Sequence, residues 1–157
     1  MAKSKAQRKQ KKQAIRLIDP AQYARSKQIL ESKLTEEEVD RHALPAWIYL
    51  DIVIAKKESE AAEGGLVRAI TMLHIFAQEA NSKPLLAIAD KAVSLLISAI
   101  GLSQKRGTPI DLSTSAKTAV RKCVSEWERA LTRMSAGMFL FVCNEWTKKH
   151  KKFMDAA

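Results

Sequence analysis

Apolar residues recur every three or four positions through most of this chain, and that spacing is the strongest constraint on its fold. The clearest stretch starts at residue 120 and continues for more than three heptads. Its members are Val120, Val124, Trp127, Leu131, Met134, Met138, Phe141 and Glu145. This spacing places side chains on one face of an α-helix. The sequence therefore predicts an all-α protein that ends in a helix of about 40 residues, roughly 60 Å long.

The stripe on this last helix has more than one reading. It can pack along its whole length against its own domain. Alternatively, Met134, Met138 and Phe141 can contact a second copy of the chain, because such a helix is longer than its neighbours of about 17 to 20 residues and extends beyond them. This second reading predicts a homodimer through the C-terminal helix. Gly137 can instead kink the helix.

Helix start signals occur near the beginning of the chain. Thr35 and Glu38 have the spacing of a capping box, in which each side chain bonds to the other residue's backbone N–H. Acidic residues in the first turn also suit the helix dipole. Ahead of this box, Asp19 and Pro20 can begin a short helix that runs to about Leu34. Its apolar residues are Tyr23, Ile29 and Leu30.

The next segment carries mixed signals. Pro45 is expected to kink or restart a helix, because it lacks a backbone N–H. The run WIYLDIVIA, residues 47–55, is rich in β-branched and aromatic residues and is also compatible with a buried strand. The absence of a further breaker before Glu63 favours a helix. We expect Gly64-Gly65 to end it in the left-handed conformation.

Two more helices follow with short connections. One has an apolar face from Leu66 to Ala80, and the other is capped by Ser82 and ends at Gly101. Residues 108–111 are expected to cap the last helix. Short turns make neighbouring helices antiparallel. We therefore predict an antiparallel bundle of four to five helices over residues 19–157, preceded by a basic, flexible arm over residues 1–18.

Residues 84–102, PLLAIADKAVSLLISAIGL, form the most apolar stretch and the best membrane candidate. Asp90 and Lys91 lie near its centre, where charges are costly in a bilayer. Small residues spaced for packing favour a buried bundle helix, so we predict no membrane span. The N-terminus lacks the apolar core of a secretory signal.

Positive charge is concentrated at the two ends of the chain, which has a net charge of +10. Eleven basic residues lie there with no acidic residue among them. Removing them from the 27 basic residues leaves 16 against 17 acidic ones. Those eleven are Lys3, Lys5, Arg8, Lys9, Lys11, Lys12, Arg16, Lys148, Lys149, Lys151 and Lys152. A neutral body with basic ends is typical of polyanion-binding tails.

The spacing of the N-terminal cluster favours a nucleic-acid backbone as the partner. Lys5, Lys9, Lys12 and Arg16 would form one stripe on a helix, and phosphates would relieve their mutual repulsion. Such binding has low sequence specificity, and no recognition helix or zinc-finger spacing is present. At the other end, Trp146 and Phe153 flank the lysines. Basic tails also serve solubility, nuclear import, or binding to acidic lipids and proteins.

Catalytic motifs are lacking, so we predict no enzyme, no cofactor and no metal site. The histidines His42, His74 and His150 are scattered, and His74 is expected to be a hydrogen-bonded residue at the edge of an apolar face. Cys123 and Cys143 lie about 30 Å apart if they share one helix, too far for a disulfide. Cys143 is expected to be a packing residue. Reduced thiols indicate a cytoplasmic protein.

Two functional hypotheses follow from these patterns. The first is a non-enzymatic accessory protein that binds a DNA or RNA backbone through its basic ends. The second is an adaptor or inhibitor that engages an acidic or apolar surface of a larger protein machine through one face of the bundle.

Overall fold

The structure, a computed structural model, describes residues 20–57 and 59–154, with side chains for 21–57 and 59–151. The prediction of an all-α fold is confirmed, since these residues form six helices and no strand. The helices are α1 Pro20–Glu31, α2 Glu36–Ile54, α3 Glu60–Glu79, α4 Lys83–Arg106, α5 Thr114–Arg133 and α6 Ala136–Met154. Six helices replace the predicted four to five, and the predicted arm, residues 1–18, lies outside the described residues.

Helix α3 lies at the centre of the fold. It contacts α2, α4, α5 and α6, whereas α1 packs against α6. Leu66, Ile70 and Leu73 on α3 have at most 1% of their surface exposed. A helix contacted on several sides must be apolar over most of its circumference. The contacts of α3 enclose it accordingly: all of its residues between Arg68 and Gln78 are buried or half-buried.

The predicted capping box at the start of α2 is confirmed. The backbone N–H of Thr35 donates to the Glu38 carboxylate at 2.7 Å, and the N–H of Glu38 donates to Thr35 Oγ1 at 3.3 Å. The hydrogen bonds from Thr35 lower the pKa of Glu38. These bonds satisfy donors that would otherwise have no partner in the first turn.

Residues 47–54 are helical, which excludes the strand alternative. Helix α2 also continues through Pro45, so the expected restart there is wrong. Proline inside a helix removes one hydrogen bond and costs about 3 kcal/mol. Burial of one helix face offsets this cost, because Ala46, Leu50 and Val53 are at most 3% exposed.

The glycine pair does not end α2, contrary to the prediction. The helix ends at Ile54, and Lys56 takes the left-handed conformation with φ 56°. Ser59 then caps α3 by accepting a hydrogen bond from the Ala62 N–H at 3.1 Å. Gly65 instead lies within α3. The ring of Tyr49 packs against its backbone, where a Cβ would lie 2.2 Å from ring carbons, so this position requires a glycine.

Helix α4 and the connection after it also differ from prediction. Ser82 precedes α4 as predicted, but its side chain makes no capping bond, and the helix passes Gly101 to end at Gly107 with φ 61°. Residues 108–111 do not cap the helix that follows them. Ile110 in this run and Leu112 just after it are instead buried in the core. The cap of α5 is Ser113, whose hydroxyl accepts from the Ala116 N–H at 3.2 Å.

The predicted long C-terminal helix is two helices, α5 and α6. Met134 has extended backbone angles, φ −72° and ψ 140°, and its carbonyl accepts from the Leu34 N–H at 3.3 Å. The Ala136 N–H donates to the Ser32 carbonyl at 2.8 Å. Residues 134–136 thus pair with the connection between α1 and α2. Gly137 follows the break and admits the Leu30 carbonyl, which would lie 2.9 Å from a Cβ.

The break changes which residues of α6 face the core. Val120, Val124, Trp127, Leu131 and Met134 of the predicted stripe are all buried. Among the described side chains of α6, Val142 is buried, and the partly buried ones include Phe139, Cys143 and Trp146. The predicted stripe residue Phe141 is 40% exposed. Two non-helical residues are sufficient to shift the phase of a 3.6-residue repeat.

The apolar helix α4 is less buried than predicted. It packs on α3 and α5 through Ala89, Ala92 and Leu96, which are fully buried. Only 17% of its most apolar window, with mean hydropathy 1.9, is buried within the chain. By length and composition α4 is the one helix in the described part of the chain able to cross a membrane. The absence of a membrane span stays a prediction.

The adjacent glycines of α3 should respond oppositely to the same substitution. Gly64→Ala meets no atom within 4 Å and should raise the free energy of unfolding by about 0.5–1 kcal/mol, since alanine is the better helix former. Gly65→Ala collides with the Tyr49 ring and should lower the free energy of unfolding by about 1–3 kcal/mol. Urea denaturation followed by circular dichroism measures both. Equal shifts would contradict the close packing of Tyr49.

Candidate nucleic-acid interface

The predicted basic residues fall into two groups. Lys3, Lys5, Arg8, Lys9, Lys11, Lys12 and Arg16 lie outside the described residues, as does the side chain of Lys152. Lys148, Lys149 and Lys151 are exposed near the end of α6. Lys148 donates to Glu145 at 2.6 Å. Neither Lys149 nor Lys151 forms an ion pair within the described part of the chain.

Aromatic rings lie beside these lysines. The rings of Trp146 and His150 stack with centroids 4.9 Å apart and an angle of 11° between their planes. The guanidinium of Arg68, from α3, lies over the Trp146 ring at 4.6 Å. Trp146 also packs against the core, which confirms that it anchors this end of the helix. His150 is therefore the exposed ring of the group.

Sequence reasoning missed two members of this group. His150 follows Trp146 by four positions, the spacing that places two helical side chains on one face, so this contact had a readable signal. Arg68 had none, because it lies on a different helix and reaches Trp146 only through the packing of α3 against α6. The side chain of Phe153, the second predicted flanking aromatic, lies outside the described residues.

The predicted oligomer residues occupy different environments. Met134 is 1% exposed and lies in the core, where it has no surface to offer a second copy. Met138 is half-buried, and Phe141 is 40% exposed beside Leu140, which is 51% exposed. Of the three, only Phe141 faces solvent. Dimer formation through this helix stays a prediction.

A cavity of about 280 Å³ lies between α2 and α3, with Trp127 of α5 also in its lining. Its lining includes the charged residues Arg41 and Arg68 together with His42 and Tyr49. Arg68 belongs to both regions, since it lines the cavity and also lies over Trp146. The cavity therefore adjoins the basic end of α6.

Burial lowers the pKa of His42, and the neighbouring guanidiniums of Arg68 and Arg41 lower it further. The carboxylate of Glu38 opposes this shift. The ring of His42 also lies against Phe139 of α6, with centroids 4.4 Å apart. His42 is consequently a neutral imidazole at physiological pH, beside two permanent positive charges.

The two cysteines are free, although they lie in separate helices rather than in the predicted single one. Burial raises the pKa of Cys123 to about 12. Burial also raises the pKa of Cys143, against the opposing effect of Arg68. Both side chains are thiols at neutral pH, and Cys143 packs against the core as predicted.

His74 on α3 lies 3.1 Å from a carboxylate oxygen of Asp90 on α4. The half-buried imidazole thus lies beside a carboxylate at the edge of the apolar face of α3, whereas the predicted hydrogen bond of His74 stays a prediction. Within residues 20–57 and 59–154, no three His, Cys, Asp or Glu side chains are grouped so that they could hold a metal ion.

Comparison with known proteins gives no match: no family model, no curated protein and no solved structure is significantly similar to this chain.

His42 should make folding stability sensitive to acid. Its pKa in the folded protein lies below its ordinary value of 6.5, so the unfolded chain takes up the proton first as the pH falls. Stability attributable to His42 is then complete above pH 6.5 and decreases below it. We expect His42→Gln to lose less stability than the wild type between pH 7.5 and 5.5. Urea denaturation at several pH values measures this, and identical pH dependence in the two proteins would contradict it.

Proposed function

We propose that this protein is a non-enzymatic accessory protein that binds the phosphate backbone of a nucleic acid through its basic ends. The observation that carries the proposal is the arrangement at the end of α6. There, Lys149 and Lys151 are exposed, without a carboxylate partner among the described residues, next to the ring of His150. Exposed cations combined with exposed rings are typical of surfaces that contact single-stranded nucleic acids.

The pairing of Lys148 with Glu145 limits the size of this surface. The Lys148 charge is partly satisfied within the chain, and exposed pairs of this kind contribute about 0–1 kcal/mol to stability. A phosphate can therefore compete for it at little cost. The seven basic residues near the N-terminus supply the larger share of the charge in this proposal.

Binding should depend steeply on salt and on the first 16 residues. If about seven phosphates are contacted, the log–log slope is about −6 on a duplex, a loss of about 4,000-fold between 50 and 200 mM salt. We expect a variant lacking residues 1–16 to bind more weakly and with a shallower slope. Gel-shift titrations with labelled duplex and single-stranded probes measure both quantities.

Paired substitutions test the α6 end in the same assay. Lys149→Gln with Lys151→Gln should reduce the slope by about one unit for each phosphate that the variant no longer neutralises. The matched control is Lys91→Gln with Lys122→Gln, which removes the same charge from a groove between α4 and α5. Absence of binding at 50 mM salt, or equal effects of the two double variants, would contradict the proposed interface.

The exposed apolar surface of α4 supports a second candidate function, an adaptor that engages another protein. Ile97 and Leu102 are 56% and 50% exposed on a helix that is mostly unburied within the chain. If this surface binds a partner, Ile97→Lys with Leu102→Lys should abolish a complex that survives removal of residues 1–16, while leaving gel-shift affinity unchanged. Pull-downs with the wild type, the protein lacking residues 1–16 and the double lysine variant test this candidate function. Retention of the partner by the lysine variant would contradict it.

A further inference from the structure

The cavity between α2 and α3 brings two arginines to one opening in the protein. Arg41 lies on α2 and Arg68 on α3, and both line the cavity. His42 lines the same cavity, and the charges of both arginines help to lower its pKa. Guanidiniums keep their charge at all physiological pH values. The cavity therefore holds two permanent positive charges next to a neutral ring.

These charges are poorly neutralised by the protein itself. Arg41 has one carboxylate partner, Glu37, at 2.7 Å, and the Glu37 side chain is 82% exposed. Arg68 makes no ion pair in the described part of the chain and lies instead over Trp146. The Glu38 carboxylate, which accepts hydrogen bonds from Thr35, keeps its negative charge and offsets part of the positive charge of Arg41. An exposed ion pair contributes little, so Arg41 can exchange Glu37 for another anion.

The donor set matches a phosphomonoester better than a carboxylate. Two guanidiniums supply two charges and planar forks of N–H donors, which suit a dianion with three equivalent oxygens. Neutral His42 and Tyr49 each carry one further donor. A volume of 280 Å³ lies just below the range typical of pockets for whole drug-sized ligands. The cavity therefore suits the phosphorylated end of a molecule.

We propose that this cavity binds a phosphomonoester group between Arg41 and Arg68, with His42 and Tyr49 as additional hydrogen-bond donors. Either the 5′-phosphate at the end of a nucleic-acid strand or a free phosphorylated small molecule presents this chemistry. The inference stands apart from the proposed function, since the cavity requires neither basic end of the chain.

Inorganic phosphate is the first probe, used with the full-length protein and followed by the imidazole signals of His42 in NMR spectra. We expect a saturable shift. Arg41→Gln and Arg68→Gln should each weaken binding about tenfold or more, since each removes charge-assisted hydrogen bonds. Arg68→Lys, which keeps the charge but not the fork, should weaken binding less. Backbone amide spectra verify that each variant is folded.

Arg129→Gln is the matched control, because Arg129 is an exposed arginine paired with one carboxylate, Glu126, as Arg41 is with Glu37. It lies outside the cavity and should bind phosphate as the wild type does. The inference is overturned if His42 shows no saturable shift well beyond millimolar phosphate, or if Arg129→Gln weakens binding as much as the cavity variants.

Two oligonucleotides of one sequence, one with a 5′-phosphate and one with a 5′-hydroxyl, distinguish a strand end from a free small molecule as the source of the phosphomonoester. Tighter binding of the phosphorylated strand, abolished in Arg41→Gln and Arg68→Gln, supports the strand end as ligand. Equal binding of both strands, together with saturation by inorganic phosphate, supports a free phosphomonoester. If neither strand binds, the proposed nucleic-acid function fails, while a saturable phosphate shift still supports the cavity site.

Discussion

The burial of α3 among four other helices is the constraint on which the rest of the structure depends. Complete burial of a leucine or isoleucine side chain stabilises a fold by about 1.5–3 kcal/mol, and α3 supplies several of them, among them Leu66, Ile70 and Leu73. A helix so enclosed has few places for a charged side chain. Arg68 is the last exposed residue before Gln78, and it emerges close to both α2 and α6. The position of the candidate site thus follows from the packing of the core.

Local signals predicted the helical class and the capping box, because both depend on residues a few positions apart. The ends of the helices were predicted less well, since glycine has two uses that sequence alone does not separate. Gly64-Gly65 has the composition of a helix stop, yet Gly65 admits the ring of Tyr49 from a neighbouring helix. Gly107, in contrast, takes the left-handed conformation and does end α4. Only the identity of the packing partner distinguishes the two cases.

The break between α5 and α6 was predicted only as a possible kink at Gly137, and its form was missed for a different reason. It is held by backbone hydrogen bonds from Leu34 and Ala136, which any residues other than proline can make at the donor positions. Such bonds leave no trace in side-chain periodicity, and the apolar spacing continues across residue 134 as if the helix did. At the candidate site, likewise, the lysines and the Trp146–His150 spacing were readable, whereas Arg68 was contributed by tertiary packing.

Arg68 connects the cavity to the basic end of α6, and the energies of its contacts indicate which one yields. A cation over an aromatic ring at an exposed site is worth about 0.5–1 kcal/mol. A hydrogen bond to a charged partner contributes about 1.5–3 kcal/mol, and the guanidinium can make two in parallel. If the in-plane N–H donors of Arg68 cannot reach an anion in the cavity from its position over the ring, these hydrogen bonds would therefore draw Arg68 away from Trp146. Because Trp146 stacks on His150, occupation of the cavity would alter the surroundings of the exposed ring beside Lys149 and Lys151.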